Sequence, residues 1–369
     1  MKKMTLNKQT KSNLITYGII VIAYIVIQIM IATHTMSYHM QGMLVTVCSY
    51  IILAVSLNLT VGILGELSLG HAGFMCVGAF VGASFSICMK GIITFSPLRF
   101  FLALLIGALA AGLVGILIGT PVLRLKGDYL AIVTLAFGEI IKNIINVIYM
   151  GIDKNGLHFS TKDTVSLGME EDGIAVIKGA QGVTGMPQDS NFTVGIILIL
   201  LTLCIVLHLI QSRDGRAIMS IRDNQIAAES VGIHVSRYKL LAFAISAALA
   251  GMAGVFYIHS FDNMSSSVFD YNLSISILVF VVLGGIGSIR GSIIAATVLT
   301  ILPELLREIL YSISKDSDIS QVITNSRMLI YSVILIVMMI FNWSPEVKEW
   351  TGKFFGKFKK NKSGKKEVA

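Results

Sequence analysis

The stretch "GILGELSLGHAGF", Gly62 to Phe74, interrupts a long apolar region with a carboxylate, Glu66, and an imidazole, His71, set among glycines 62, 65, 70 and 73. On a continuous helix a spacing of five sends Glu66 and His71 to different faces, which excludes a helical zinc pair of the HExxH kind. The glycines suggest instead that the helix is broken here. A broken segment exposes backbone N–H and C=O groups, tolerated at membrane depth only when buried in protein or lining a water-filled path. Two readings stay open: a break on such a path, carrying Glu66, Ser68 and His71, or an interfacial loop with Glu66 in water.

Outward from this point the chain is oily. Of 369 residues 54% are hydrophobic and only 14% charged, where soluble domains carry roughly a quarter charged residues. Crossing a bilayer as a helix takes roughly 17 to 25 apolar residues. Ten such runs are read, near 14–33, 43–60, 73–89, 98–119, 129–149, 192–211, 239–260, 273–289, 292–311 and 328–343. The first follows Lys2, Lys3, Lys8 and Lys11 but is too long for a signal peptide and lacks a clean cleavage site, so it reads as a retained anchor. The expected fold is an all-α integral membrane protein of about ten transmembrane helices with an internal repeat.

Lys and Arg favour cytoplasmic loops. Most of the 29 basic residues fall on the face holding the N-terminal tail, Arg124, Lys126, the segment Arg213 to Lys239, Arg290 and the C-terminal tail. Both termini are therefore expected in the cytoplasm. The net charge of +8 is positive-inside bias and not a nucleic-acid signal. The expected organisation is a cytoplasmic tail at 1–13, a transmembrane domain at 14–343 and a basic cytoplasmic tail at 344–369. Within the domain, 151–190 is an extracytoplasmic loop and 212–238 a cytoplasmic one. The basic tail, with Trp343 and Trp350 as interfacial anchors, is suited to anionic membrane lipid. Cys48, Cys76, Cys88 and Cys204 form no CxxC pair and read as buried, inert thiols, with no metal site.

Polar residues inside spans point to function, because a charge at mid-bilayer costs on the order of 3 kcal/mol without a partner or cavity. A second glycine cluster, "LGGIGSIRGS" at Leu283 to Ser292, matches the first in placing a serine three residues after a glycine: Gly65 with Ser68, Gly285 with Ser288. Corresponding interruptions in two halves are the mark of a transporter built from repeats, although tight helix packing would use the same glycines. In the fifth run Glu139, Asn143 and Asn146 recur on one helical face. Lys142 is placed to pair with Glu139, so that stripe is either path-lining or a packing pair. Asp128 reads as a helix N-cap and His208 as a hydrogen-bonded packing residue.

The long cytoplasmic connection is charged in both signs, helical in propensity, and apolar at Ile218, Ile221, Ala228 and Val231. That is an amphipathic surface helix on which something docks. Within it "IAAESVGI", Ile226 to Ile233, resembles the cytoplasmic loop of ABC importer permeases, met here by Ala227, Ala228 and Gly232, with Ile226 where an acidic residue often stands. With "NLTVGILGELSLGHAGFMCVGAF", "RLKGDYLAIVTLAFGEII" and "LGGIGSIRGSIIAATVLTILPELLRE", the chain resembles the LivM-type permease subunits of the branched-chain amino acid ABC importer family over most of its length.

The resemblance implies a permease of the inner or plasma membrane that catalyses no reaction. It would form half of a translocation path, paired with a second, LivH-type permease, two ATPase subunits and an extracytoplasmic substrate-binding protein. It also implies that the loop docks on an ATPase through Arg222, Asp223, Ala227, Ala228, Glu229 and Gly232, in a short helix around Asn224 to Val231 ended by Gly232. The path residues would be Glu66, Ser68, His71, Glu139, Asn143, Asn146, Gly285 and Ser288. No GxxxxGK[ST] phosphate loop is present, so the chain carries no cofactor of its own and ATP belongs to the partner ATPases. Leucine-like amino acids lead as substrate, with urea, short amides and nucleosides carried by similar permeases. One feature departs from the family: an acidic insertion at about Gly151 to Lys178. An ion-coupled transporter using Glu66 or Glu139 would need no docking loop. An intramembrane enzyme using Ser68 and His71 would lack a third orienting group.

Overall fold

The computed structural model describes residues 8–125, 127–170 and 173–313, with Ser332, Val333 and Ile336. The last apolar run at 328–343 otherwise lies outside the described residues, as do Lys126, Glu171, Asp172 and the basic tail. The helices are α1 (Lys8–Ala32), α2 (Tyr38–Asn58), α3 (His71–Cys88), α4 (Ser96–Val122), α5 (Asp128–Val147), α6 (Phe192–Gln211), α7 (Arg213–Asp223), α8 (Gln225–Ser230), α9 (Val235–Ile258), α10 (Tyr271–Gly284) and α11 (Ile289–Ile313). Among the described residues seven helical stretches are long and apolar enough to cross a membrane: those of α2, α3, α4, α5, α6, α9 and α10. In α1 the apolar part is shorter, Thr16–Ala32. One compact unit extends to Thr297; a second begins at Val298 and includes the end of α11 with Pro303.

Helix ends follow local chemistry. Ser37 accepts from Met40 N–H at the start of α2, and Asp270 accepts from Leu273 N–H (3.0 Å) at the start of α10, each satisfying an orphan donor. Asp128 is not the N-cap expected of it. Gly127 holds that place, and Asp128 is the first helical residue, where its charge favours the helix dipole. His208 Nδ1 lies 2.9 Å from the Cys204 carbonyl inside α6, the hydrogen bond expected of it, but the side chain is exposed and not packed. All four thiols are free, but only Cys48 and Cys76 are buried; Cys88 is half-buried and Cys204 exposed.

The core is α2 with its C-terminal turn, 94% buried over its most apolar window, and a trio of α3, α4 and α9 packed through small residues. A Cβ placed on Gly78 of α3 would lie 2.3 Å from the Gly251 backbone of α9. One on Gly251 would lie 2.3 Å from the Ala111 Cβ of α4, and one on Gly107 of α4 would lie 2.8 Å from the Gly78 carbonyl. Without a hydrophobic drive between helices in lipid, such close backbone approach and its dispersion energy hold spans together. α5 is the opposite case, with only 17% of its window buried.

A small sheet departs from the all-α expectation. The segment after α5, which includes the insertion at 151–178, folds as β1 (Tyr149–Asp153), β2 (Gly156–Ser160), β3 (Ile174–Lys178) and β4 (Val183–Thr184), with β5 (Asn263–Met264) following α9. The order is β2-β1-β3-β4-β5, all antiparallel, with Met150 opposite Phe159 and Val183 opposite Met264. Asp153 builds the hairpin turn. Its carboxylate, 1% exposed, accepts from Asn155 N–H (2.7 Å) and Gly156 N–H (3.1 Å) and meets His158 Nε2 at 3.0 Å. Burial acts to raise this carboxyl, but the hydrogen bonds outweigh it and hold Asp153 below its ordinary value. Val176, Ile177 and Val183 are buried, while Leu157, Phe159 and Ile174 stay exposed. Arg99 of α4 ties the following connection down through Asp189 (3.1 Å). Since α6 leads away from the sheet to α7 and α8, and α9 returns to β5, sheet and α7–α8 segment sit at opposite ends of the bundle.

Candidate functional site

The helix break is present where the glycines place it. α2 passes into a π-helical turn, Leu59–Leu64, which ends at Gly65 with φ +81°, a conformation that favours glycine. Residues 65–70 are irregular and α3 starts at His71. π-turns of this kind recur at functional sites.

Backbone groups freed by the break are satisfied from neighbouring spans. Leu69 N–H donates to Thr134 Oγ1 of α5 (3.0 Å), and Ala72 N–H donates to Ser274 Oγ of α10 (3.1 Å). The glycines allow this approach: a Cβ on Gly70 would stand 2.5 Å from the Thr134 carbonyl, and one on Gly73 2.6 Å from Gly138 Cα. His71 turns into the core, 2% exposed, with Nε2 at 2.7 Å from Ser56 Oγ. Ser68 Oγ is buried and has no hydrogen-bond partner among the described residues.

The second glycine cluster is a break too. α10 stops at Gly284, Gly285 and Gly287 have φ of +93° and +82°, and α11 resumes at Ile289. Ser288 Oγ accepts from Gly291 N–H (3.2 Å) and so turns back on its own loop. Asn58, fully buried, joins the two breaks. Its Oδ1 accepts from Gly287 N–H (2.9 Å) and its Nδ2 donates to Ser292 Oγ (2.8 Å). Reading the sequence missed Asn58; a lone amide in an otherwise apolar run was the available signal.

On α5 the stripe divides. Glu139 pairs with Lys142, Asn146 Oδ1 accepts from Ser266 Oγ (3.2 Å), and Asn143 is exposed. Gly138, next to Glu139, is the residue against which Gly73 packs, so this stripe and the first break share one helix contact.

At the opposite end from the sheet, Ser212 caps α7 by accepting from Gly215 N–H (3.0 Å). Asn224 ends α7 and caps α8 by accepting from Ala227 N–H (3.0 Å). α8 closes before Gly232, whose φ is +85°. Ala228 faces inward against Ile221 and Val235, so the pair of alanines is split and Ala227 alone is exposed. Outward stand Glu229 and two large apolar side chains, Ile226 at 81% and Val231 at 75% exposure. Arg222, expected at a rim, reaches back instead: its Nη1 donates to the Gly62 carbonyl (3.0 Å), while Nε and Nη2 hold Asp223. Lys239, buried in the first turns of α9, pairs with Glu66 and donates to Gln225 Oε1 (3.3 Å). Glu66 is thus neither in open water nor free for a passing substrate.

The family described as branched-chain amino acid transport system / permease component matches residues 39–341. The high-affinity branched-chain amino acid transport system permease protein LivM of Escherichia coli strain K12 is 35% identical over 307 residues, 80% of this chain and 67% of that one. LivM of Salmonella typhimurium is 34% identical over 306 residues, with the same shares. LivH of Salmonella typhimurium, a permease protein of the same transport system, is 24% identical over 272 residues, 73% of this chain and 85% of that one.

Proposed function

Because the chain belongs to the branched-chain amino acid transport permease family, we propose that it forms half of the translocation path of an ABC importer for leucine-like amino acids. It works beside a LivH-like second permease. Two ATPase subunits bind ATP in the cytoplasm, one of them docking on α8; a substrate-binding protein delivers its load on the sheet side. The transmembrane domain at 14–343 makes ten crossings, and the tails at 1–13 and 344–369 both lie in the cytoplasm. The two breaks are corresponding parts of an internal repeat, and Glu139, Asn143, Asn146 and Ser68 border the path.

The observation that carries this reading is the α8 surface: exposed Ile226 and Val231 on a segment whose inner side is bonded to the helix break. An isolated apolar pair on a water-facing helix calls for a partner groove. Reconstituted with second permease, ATPase and binding protein, the complex is expected to take up radiolabelled leucine on ATP addition, with urea, short amides and nucleosides failing to compete. Uptake of one of these without leucine uptake would reassign the substrate within the family.

Orientation has its own check. In a background lacking Cys88 and Cys204, Val165→Cys in the sheet connection is expected to react with an impermeant thiol reagent on intact cells, and Ser230→Cys on α8 only after lysis. Val165 is 85% exposed and Ser230 also exposed in this chain, so in cells that make the permease without its partner subunits access is set by side of membrane. The reverse labelling pattern would invert the topology.

A further inference from the structure

Two charged contacts cross from the α7–α8 segment and the start of α9 to the first helix break, and they arrive within five residues of one another. Arg222 lies at the last turn of α7, one residue before the Asp223–Asn224 corner that separates α7 from α8. Its stem crosses Gly65, where a Cβ would stand 2.6 Å from Arg222 Cγ, and its guanidinium ends on the Gly62 carbonyl. That carbonyl belongs to the last turn of the π-helix, where carbonyls lack an intrahelical partner. From the other side Lys239 binds Glu66 and, through Gln225, the first residue of α8.

We infer that Arg222 and Lys239 are positioning residues that tie α8 to the π-turn and Glu66, so that displacement of α8 by an ATPase is delivered directly to residues 62–66. A π-turn holds one more residue per hydrogen-bonded loop than an α-turn and recurs at functional sites, which makes it the part of the break that a shift of α8 would reshape. Arg222 is shaped for the task. Its planar fork bonds Asp223 and the Gly62 carbonyl together, so a shift of the corner moves the carbonyl with it. The Lys239–Glu66 pair is largely withdrawn from water, side chains 6% and 16% exposed, and is therefore little screened by salt. The hydrophobic residues beneath, Ile218 against Leu59, Ile63 and Leu64, give the same two segments a common packed base.

The inference rests on the reading of α8 as the ATPase contact, and the test separates the two. In the complete complex, Arg222→Ala, Glu66→Gln and the reversed pair Glu66→Lys with Lys239→Glu are compared for ATPase retained on purification, for the ratio of binding-protein-stimulated to basal ATP hydrolysis, and for uptake. The single variants are expected to retain the ATPase while the ratio and uptake fall about tenfold, within the span usual for coupling between sites. The reversed pair is expected to recover stimulation that Glu66→Gln lacks. A purely structural role would lower the amount of complex and leave the ratio unchanged. An unchanged ratio in both single variants overturns the inference, and so does loss of the ATPase, which would make these residues docking contacts. If a single variant fails to insert, the reversed pair decides: an inserted reversed pair without stimulation also overturns it. Retention of the ATPase by a variant altered at Ile226 would instead remove the docking reading itself.

Discussion

Alanine at Gly62 is expected to abolish transport, while alanine at Gly42 in the same span leaves it unchanged. The added methyl at Gly62 would sit 1.9 Å from Asn58 Oδ1 and 2.4 Å from Gly287 N, whereas at Gly42 it meets nothing within 4 Å. Asn58 has nowhere to yield without releasing Gly287 and Ser292. Overpacking costs about 1–3 kcal/mol, and each buried group left unpaired about 1–3 kcal/mol more. The two helix breaks would separate. Uptake per unit of inserted protein is the measurement; normal uptake by Gly62→Ala would show that the junction is not needed for passage.

The second large effect is at α8. Ile226→Glu places a charge at the centre of the proposed ATPase contact, a burial without partner that costs about 2–5 kcal/mol. Since about 1.4 kcal/mol is tenfold in affinity, the ATPase is expected to be lost on purification and transport with it. Membrane insertion should be unaffected, because Ile226 is 81% exposed in this chain. Ala228→Glu would also abolish activity, but for a different reason: Ala228 is packed against Ile221 and Val235, so that change would unseat α8 itself. An Ile226→Glu permease that keeps its ATPase would place the contact elsewhere.

Much of the membrane part was legible because hydrocarbon thickness imposes a length on every span, and the run at 192–211 coincides with α6. The sheet was not legible: its strands are five residues or shorter, and β4 finds its partner β5 only after α6 to α9 have intervened. Alternation over so few residues carries little signal, and pairing at long range carries none. The break at Gly65 could be read from glycine spacing, but its partners could not. From sequence Glu66 reads as a water-exposed or path carboxylate, because nothing local links it to Lys239, 173 residues away at the edge of the seventh run. In the α7–α8 segment the stripe of Ile218, Ile221 and Ala228 is visible in sequence, and all three face inward. Val231 follows Ala228 at helical spacing, yet α8 ends at Ser230 and the chain turns at Gly232, which sends Val231 outward.

The glycine seams among α3, α4 and α9 limit how a gate can operate. With backbones touching at Gly78, Gly107 and Gly251, no side-chain layer remains to act as a lubricant, and rotation of one helix against another would drive main chain into main chain. These three spans are therefore expected to move as one body. α5 shares the constraint only at its seam with the first break, where Gly70 and Gly73 press on Thr134 and Gly138; elsewhere it is the least enclosed of the described spans, so motion would fall to it and to α10, which meet the break through the hydroxyls of Thr134 and Ser274. Opening would then exchange a few hydroxyl hydrogen bonds, each worth about 0.5–1.5 kcal/mol net, for others.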